Sequence, residues 1–266
     1  MNARYLKPYL WLKLAALFII LLSGCGGEEG RGSKEKITLT VSAASSLRDA
    51  LEKLELAFVE VHPEIQLQFN FGSSGSLRQQ IEEGAPVDLF ISASSEEMQS
   101  LVTQQLVEPH QQTPLLSNSI VVVTAPERAG EIKTIQDLAG ENINKIALGI
   151  PESVPAGRYA KESLQAAGLW EDVQDHMIQA KDVRQVLQYV ETGNVDAGFV
   201  YQSDAQTTDQ AVIALKPDRS TYSAIIYPIG IVKATKHTEQ AQQLYDFLRG
   251  DEAILQFQSY GFDVAE

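Results

Sequence analysis

The stretch Asn70-Phe71-Gly72-Ser73-Ser74-Gly75-Ser76-Leu77-Arg78 constrains the fold more than any other. Ile65, Leu67, Phe69 and Phe71 alternate as in a half-buried strand, and Leu77 to Glu82 reads as helix, so a strand ends where a helix begins. Gly72 and Gly75 allow a tight turn, while Ser73, Ser74 and Ser76 suit the helix start. The first N-H groups of a helix have no partner within it, and the macrodipole makes that end partly positive, so an anion is a natural ligand there. One such loop fits an ordinary cap. Three further joins of the same kind occur along the chain, at Ala43 to Ser46, Pro151 to Gly157 and Ala180 to Asp182.

The N-terminus carries its own signal. Arg4, Lys7 and Lys13 precede the apolar run Leu14 to Leu22, too short for a comfortable membrane span, and Leu22-Ser23-Gly24-Cys25 follows. This pattern resembles the export signal and lipobox of bacterial lipoproteins, which implies cleavage after residue 24 and acylation of Cys25. Cys25 is the only cysteine, so the chain forms no internal disulfide. Residues 26 to 35 are glycine-rich and charged, as a flexible tether would be. Removing residues 1 to 24 leaves 18 basic side chains against 35 acidic ones, a net charge of -17. That balance argues against nucleic acid or an anionic membrane surface as partner, although a small anion held by strong local donors remains compatible with it.

Ile37 to Val41 reads as the first strand, and Leu47, Ala50, Leu51, Leu54, Phe58 and Val61 fall on one face of the helix after it, with Ser46 placed as its N-cap. Asp88 to Ser92 is a nearly continuous apolar strand. Such strands alternating with helices imply parallel sheets covered on both faces, with ligands bound beyond the carboxyl ends of the strands. Ser119 to Thr124 leaves this first unit, the alternation restarts at Lys145 to Gly149, and Tyr201 directly follows the strand Ala197 to Val200. The apolar run Tyr222 to Val232, interrupted by Pro228 and Gly230, would return the chain to the first unit. Two helices then follow, with Thr238 and Asp251 as caps and Gly261 as a stop.

The segments Ala43 to Leu47, Gly72 to Leu77, Ala85 to Ala93, Pro151 to Lys161, Ala180 to Arg184 and Val200 to Ala205, in this order, resemble the molybdate-binding proteins of bacterial ABC importers from about Ile37 to Val264. The resemblance implies an α/β periplasmic-binding-protein fold of type II, two lobes with mostly parallel sheets joined by two crossover strands. Lobe 1 would comprise 36 to 118 and 228 to 266, and lobe 2 would comprise 119 to 227. It further implies that Ser46 and Ser74 hold the oxyanion through hydroxyl and backbone, Ala156 and Val183 through backbone N-H, and Tyr201 through its phenol. Molybdenum would enter only as that oxyanion, with no cofactor and no catalysis. Partners would be the ligand, a membrane permease and, through Cys25, a lipid anchor outside the cytoplasmic membrane, with the protein acting as a monomer.

Each position has a plainer role when taken singly. Ser46 and Ser76 fit helix caps, Ala156 fits a site needing a small residue, Val183 fits a core position, and Tyr201 fits a half-buried aromatic. Arg158 and Arg184 are assigned surface salt bridges. Sulfate or thiosulfate binding is the neighbouring alternative. A serine hydrolase is more remote, because Gly72-Ser73-Ser74-Gly75-Ser76 lacks the Gly-x-Ser-x-Gly spacing and His62, His110, His176 and His237 are scattered.

Overall fold

The computed structural model describes residues 36 to 265, so the export signal, Cys25 and the tether lie outside the described residues. Among the described residues no helix is long and apolar enough to cross a membrane. The first sheet is built on β1 (Ile37–Ala44), which pairs in parallel with β2 (Ile65–Gly72) and β3 (Leu89–Ile91). All three residues of β3 are buried, which accounts for its unbroken apolar sequence. Helix α1 (Arg48–Val61) lays Ala50, Leu51, Leu54 and Phe58 into the core. Full burial of the Phe58 side chain contributes about 1.5 to 3 kcal/mol. Val61 departs from the expected apolar face: it is the last residue of the helix and is 69% exposed.

After α2 (Ser74–Glu82) and α3 (Ser95–Thr103) comes β4 (Val107–Asn118), a long strand that the sequence pattern concealed. The chain then passes from β4 through the single residue Ser119 into β5 (Ile120–Thr124) of a second sheet. That sheet adds β6 (Ile146–Gly149), β7 (Met177–Ala180), β8 (Ala197–Tyr201) and β9 (Val212–Leu215), with α4 (Pro155–Ala166), α5 (Trp170–Val173), α6 (Val183–Glu191) and α7 (Gln202–Ala205) between its strands. The return crossing is β10 (Ile225–Val232), followed by α8 (Thr238–Leu248), α9 (Asp251–Ser259) and the short β11 (Asp263–Val264). Strand order is β11-β4-β10-β3-β1-β2 in the first sheet and β7-β6-β8-β5-β9 in the second.

The result is the two-lobed α/β architecture of type II periplasmic binding proteins. Both sheets are more mixed than the strand-helix alternation implied. The β1, β2, β3 and β6, β7, β8 groups are parallel, whereas the crossing strands β5 and β10 run antiparallel to their neighbours because each enters its sheet from the opposite end.

Several helix starts also differ from expectation. Ser46 is not the cap of α1: it lies in a 3₁₀ turn, Ser45–Leu47, inserted between β1 and the helix. Thr238 and Asp251 are the first residues of α8 and α9, whose N-cap positions fall to His237 and Gly250 with no side-chain cap. Gly261, at φ +83°, does end α9 as the sequence indicated.

Candidate functional site

The carboxyl ends of β1, β2 and β8 face one narrow cleft. Ser45, Ser46, Gly72, Ser73 and Ser74 line one wall, and Val154, Pro155, Val183 and Tyr201 line the other. Four of the five positions singled out from the sequence therefore meet there. Ala156 lies one residue beyond Pro155, fully buried as the second residue of α4, and does not itself line the cleft.

Local folding explains what each position offers. Ser74 is the first residue of α2, and its Oγ accepts the Ala93 N-H at 2.9 Å, leaving the hydroxyl proton free to donate. Ser73 caps α2 by accepting from Ser76 N at 3.4 Å, and its hydroxyl donates to Ser76 Oγ at 2.8 Å. These two serines are thus occupied with each other. Ser46, freed from capping, is 4% exposed with its Oγ 3.0 Å from Tyr227 Oη. Val183 opens α6 behind the cap Asp182, whose carboxylate accepts from Gln185 N at 2.9 Å. The backbone N-H groups of Ser74, Ala156 and Val183 stand in first helical turns and have no backbone acceptor among the described residues.

Tyr201 ends β8 and is 2% exposed. Its hydroxyl is buried at the cleft and without a hydrogen-bond partner among the described residues. Burial, with Tyr227 close by, pushes its ionisation well above the ordinary tyrosine value, so the phenol keeps its proton. A buried donor in this condition costs stability unless an acceptor meets it.

The cleft walls carry no Lys, Arg, Asp or Glu. Charge sits just outside them. Arg158 of α4 donates through Nη2 to Ser94 Oγ at 2.7 Å, and its Nη1 lies 3.1 Å from Glu96 Oε2 and 3.5 Å from Glu97 Oε1. Arg184 of α6 reaches Asp49 Oδ2 at 2.6 Å. Both arginines form ion pairs as the sequence suggested, but the pairs bridge the two walls instead of decorating an outer surface. Gly75 N adds a backbone hydrogen bond to Ser153 O at 3.0 Å across the same gap.

Beneath Tyr201, Asp204 is fully buried and accepts Tyr201 N at 3.2 Å. Its Oδ1 lies 3.6 Å from Arg184, beyond hydrogen-bond length. Burial raises this carboxyl to about 7, against the opposing pull of Arg184. Sequence reasoning passed over Asp204, because an acid in a first helical turn looks ordinary, and over Tyr227, whose only signal was one hydroxyl within an apolar run. A larger open groove runs past Ser117, Arg219, Tyr222 and Asp263. Its cation is already engaged, with Arg219 bonded to Ser119 Oγ at 2.7 Å and Asp263 at 3.4 Å. Among the described residues no cluster of His, Cys, Asp and Glu is arranged to hold a metal ion.

Two lobes closing over a cleft define a solute-binding protein of the kind that serves bacterial ABC transporters. Residues 39 to 263 match the family described as bacterial extracellular solute-binding protein, and the chain belongs to that extracytoplasmic, non-catalytic transport family. It is 44% identical over 257 residues to the putative ABC transporter substrate-binding lipoprotein YvgL of Bacillus subtilis, covering 96% of this chain and 98% of that one. It is 32% identical over 248 residues to the molybdate-binding protein ModA of Haemophilus influenzae, covering 91% and 95%. Among solved structures, the substrate binding domain of a putative molybdenum ABC transporter from Clostridium difficile superposes with a TM-score of 0.67 at 38% identity, covering 87% of this chain and all of that one.

Proposed function

We propose that the protein captures molybdate, and tungstate equally, outside the cytoplasmic membrane and delivers it as a monomer to the permease of an ABC importer. The observation that carries this reading is the cleft itself: hydroxyls and free helix-start N-H groups meet from two walls that bear no charged side chain, with the Tyr201 proton buried and unpartnered. Relatives named as molybdate-binding proteins, 32% and 33% identical over most of their length, support the choice of ligand. In this reading Ser46 and Ser74 donate from hydroxyl and backbone, Ala156 and Val183 from backbone N-H, and Tyr201 from its phenol. The moving bodies are residues 36 to 118 with 228 to 266, and residues 119 to 227.

Molybdate near neutral pH is a tetrahedral dianion with four acceptor oxygens and no proton. A site made only of donors satisfies all of them, each charge-assisted bond contributing about 1.5 to 3 kcal/mol. Phosphate carries a proton near pH 7 and would press it against other donors, an unpaired buried polar group that disfavours binding. Sulfate meets the donor test and is excluded by size. Acylation of Cys25 holds the carrier at the membrane, and Cys25→Ser should abolish incorporation of labelled fatty acid.

Calorimetric titration of the tether-deleted protein with molybdate, tungstate, sulfate and phosphate tests the assignment. Submicromolar binding of the first two with no phosphate response is the expected result. A preference for phosphate or sulfate would overturn it.

A further inference from the structure

We propose that Tyr227 locks the Ser46 hydroxyl as a proton donor toward the cleft, and is a positioning residue through which the site rejects anions that carry a proton. This inference rests on the molybdate reading and adds how the polarity of the site is set. A serine hydroxyl rotates and can donate or accept, so a cleft built from serines is a donor-only site only if each rotor is fixed. For Ser74 the backbone does this, because the Ala93 N-H occupies a lone pair of Oγ at 2.9 Å. No backbone donor reaches Ser46 Oγ among the described residues; its partner is the phenol of Tyr227, 3.0 Å away.

The direction of that bond follows from burial. Among the described residues Ser46 Oγ is the one hydrogen-bond partner of the Tyr227 hydroxyl, and the ring is fully buried, so the phenol proton is left unpaired unless it is donated to Ser46. Burial also holds Tyr227 in its protonated form. With its oxygen accepting from the phenol, Ser46 turns its own proton to the cleft that it lines.

The fold places Tyr227 for this task. The pairing of β10 with β4 slips between Tyr227 and Pro228, where Pro228 faces Pro114, and such irregularities re-aim side chains. The ring is fully buried, edge-on to Tyr201 at 5.7 Å and to Phe262 at 5.4 Å. Tyr227 lies in β10, one of the two strands that link the sheets.

The test is calorimetry on wild type, Tyr227→Phe, Ser46→Ala and the double variant, each with sodium molybdate and inorganic phosphate at pH 7. Tyr227→Phe should lower molybdate affinity about tenfold and raise phosphate affinity relative to molybdate, because the freed Ser46 rotor can accept the phosphate proton. The double variant should lose no more than Ser46→Ala alone. Unchanged affinities, or a parallel fall for both anions, would overturn the inference and leave the molybdate reading standing. Wild type that binds no molybdate would remove both, and is read before any variant. If circular dichroism shows that Tyr227→Phe does not fold, Tyr227→Met poses the same question. It also removes the hydroxyl, so the same shift toward phosphate is expected, and unmoved selectivity would overturn the inference.

Discussion

Arg184 Nη2 stands 2.6 Å from Asp49 Oδ2, and this pair ties the first turn of α6 to the first turn of α1 across the cleft. The same guanidinium donates through Nη1 to Thr207 Oγ1 at 2.9 Å, so its position is held from its own side as well. A partly exposed bridge of this kind contributes up to about 1 kcal/mol and acts mainly on dissociation. Arg184→Gln should therefore release molybdate about three- to fivefold faster with little change in association rate, as stopped-flow fluorescence would read. An unchanged release rate would mean the pair takes no part in holding the lobes together.

Gly75 offers a sharper handle on closure. A Cβ added there would lie 2.6 Å from the carbonyl oxygen of Ser153, the group that its own N-H bonds at 3.0 Å. Both partners are backbone, so neither can swing aside. Gly75→Ala should keep the lobes from reaching this separation, weaken molybdate binding more than about tenfold, and leave the unfolding temperature within a few degrees. Small-angle scattering with ligand present should show wild-type contraction and none in the variant. Equal contraction in both would refute the prediction.

Ser74→Ala removes one hydroxyl donor and should cost about 1 to 3 kcal/mol of molybdate affinity. It also strips the Ala93 N-H of its acceptor. A modest loss of thermal stability should accompany the loss of affinity. Affinity equal to wild type would show that the Ser74 hydroxyl makes no ligand contact.

Asp204 makes stability depend on pH in an unusual direction. Its carboxyl is raised by burial from 3.8 to about 7, so between those values the folded protein holds a proton that the unfolded chain gives up. Stability should fall as pH rises through that window, and this contribution should level off above it. Arg184 opposes the shift, while Asp49 adds to it. Asp204→Asn should flatten the slope of unfolding temperature between pH 5 and 7 and relieve the weakening of molybdate binding above pH 7 that an extra negative charge beside Tyr201 causes. Identical slopes in the two proteins would contradict this.

The sequence was most legible where one physical demand dominated a segment. The buried strand Leu89–Ile91 shows as an unbroken apolar run, and α6 shows as Val183, Val186, Leu187 and Val190 on one face behind the cap Asp182. The strand β4 escaped notice because it satisfies several demands at once. Its Val107, Leu115 and Leu116 are buried while Glu108, Pro109 and His110 face outward or lie at the margin, and Pro114 interrupts the pattern opposite Pro228. The site was legible as a set of helix starts, since small residues there have few other uses. Its supporting groups were not: Tyr227 is 181 positions from Ser46 and meets it only through the fold, and Asp204, close to Tyr201 in sequence, is marked out only by its burial. Arg158 and Arg184 were seen as charges near loops, and only the packing of α4 and α6 against the opposite wall turns them into bridges.

Ownership of the cleft is divided: Ser46 and Ser74 ride with the first sheet, Val183 and Tyr201 with the second. Unloading such a carrier then needs no chemistry at all. A docking transporter has only to prise the halves apart, breaking the two arginine bridges and the hydrogen bonds of Gly75 N and Tyr159 Oη, and the cargo is left with half its shell and water in place of the rest.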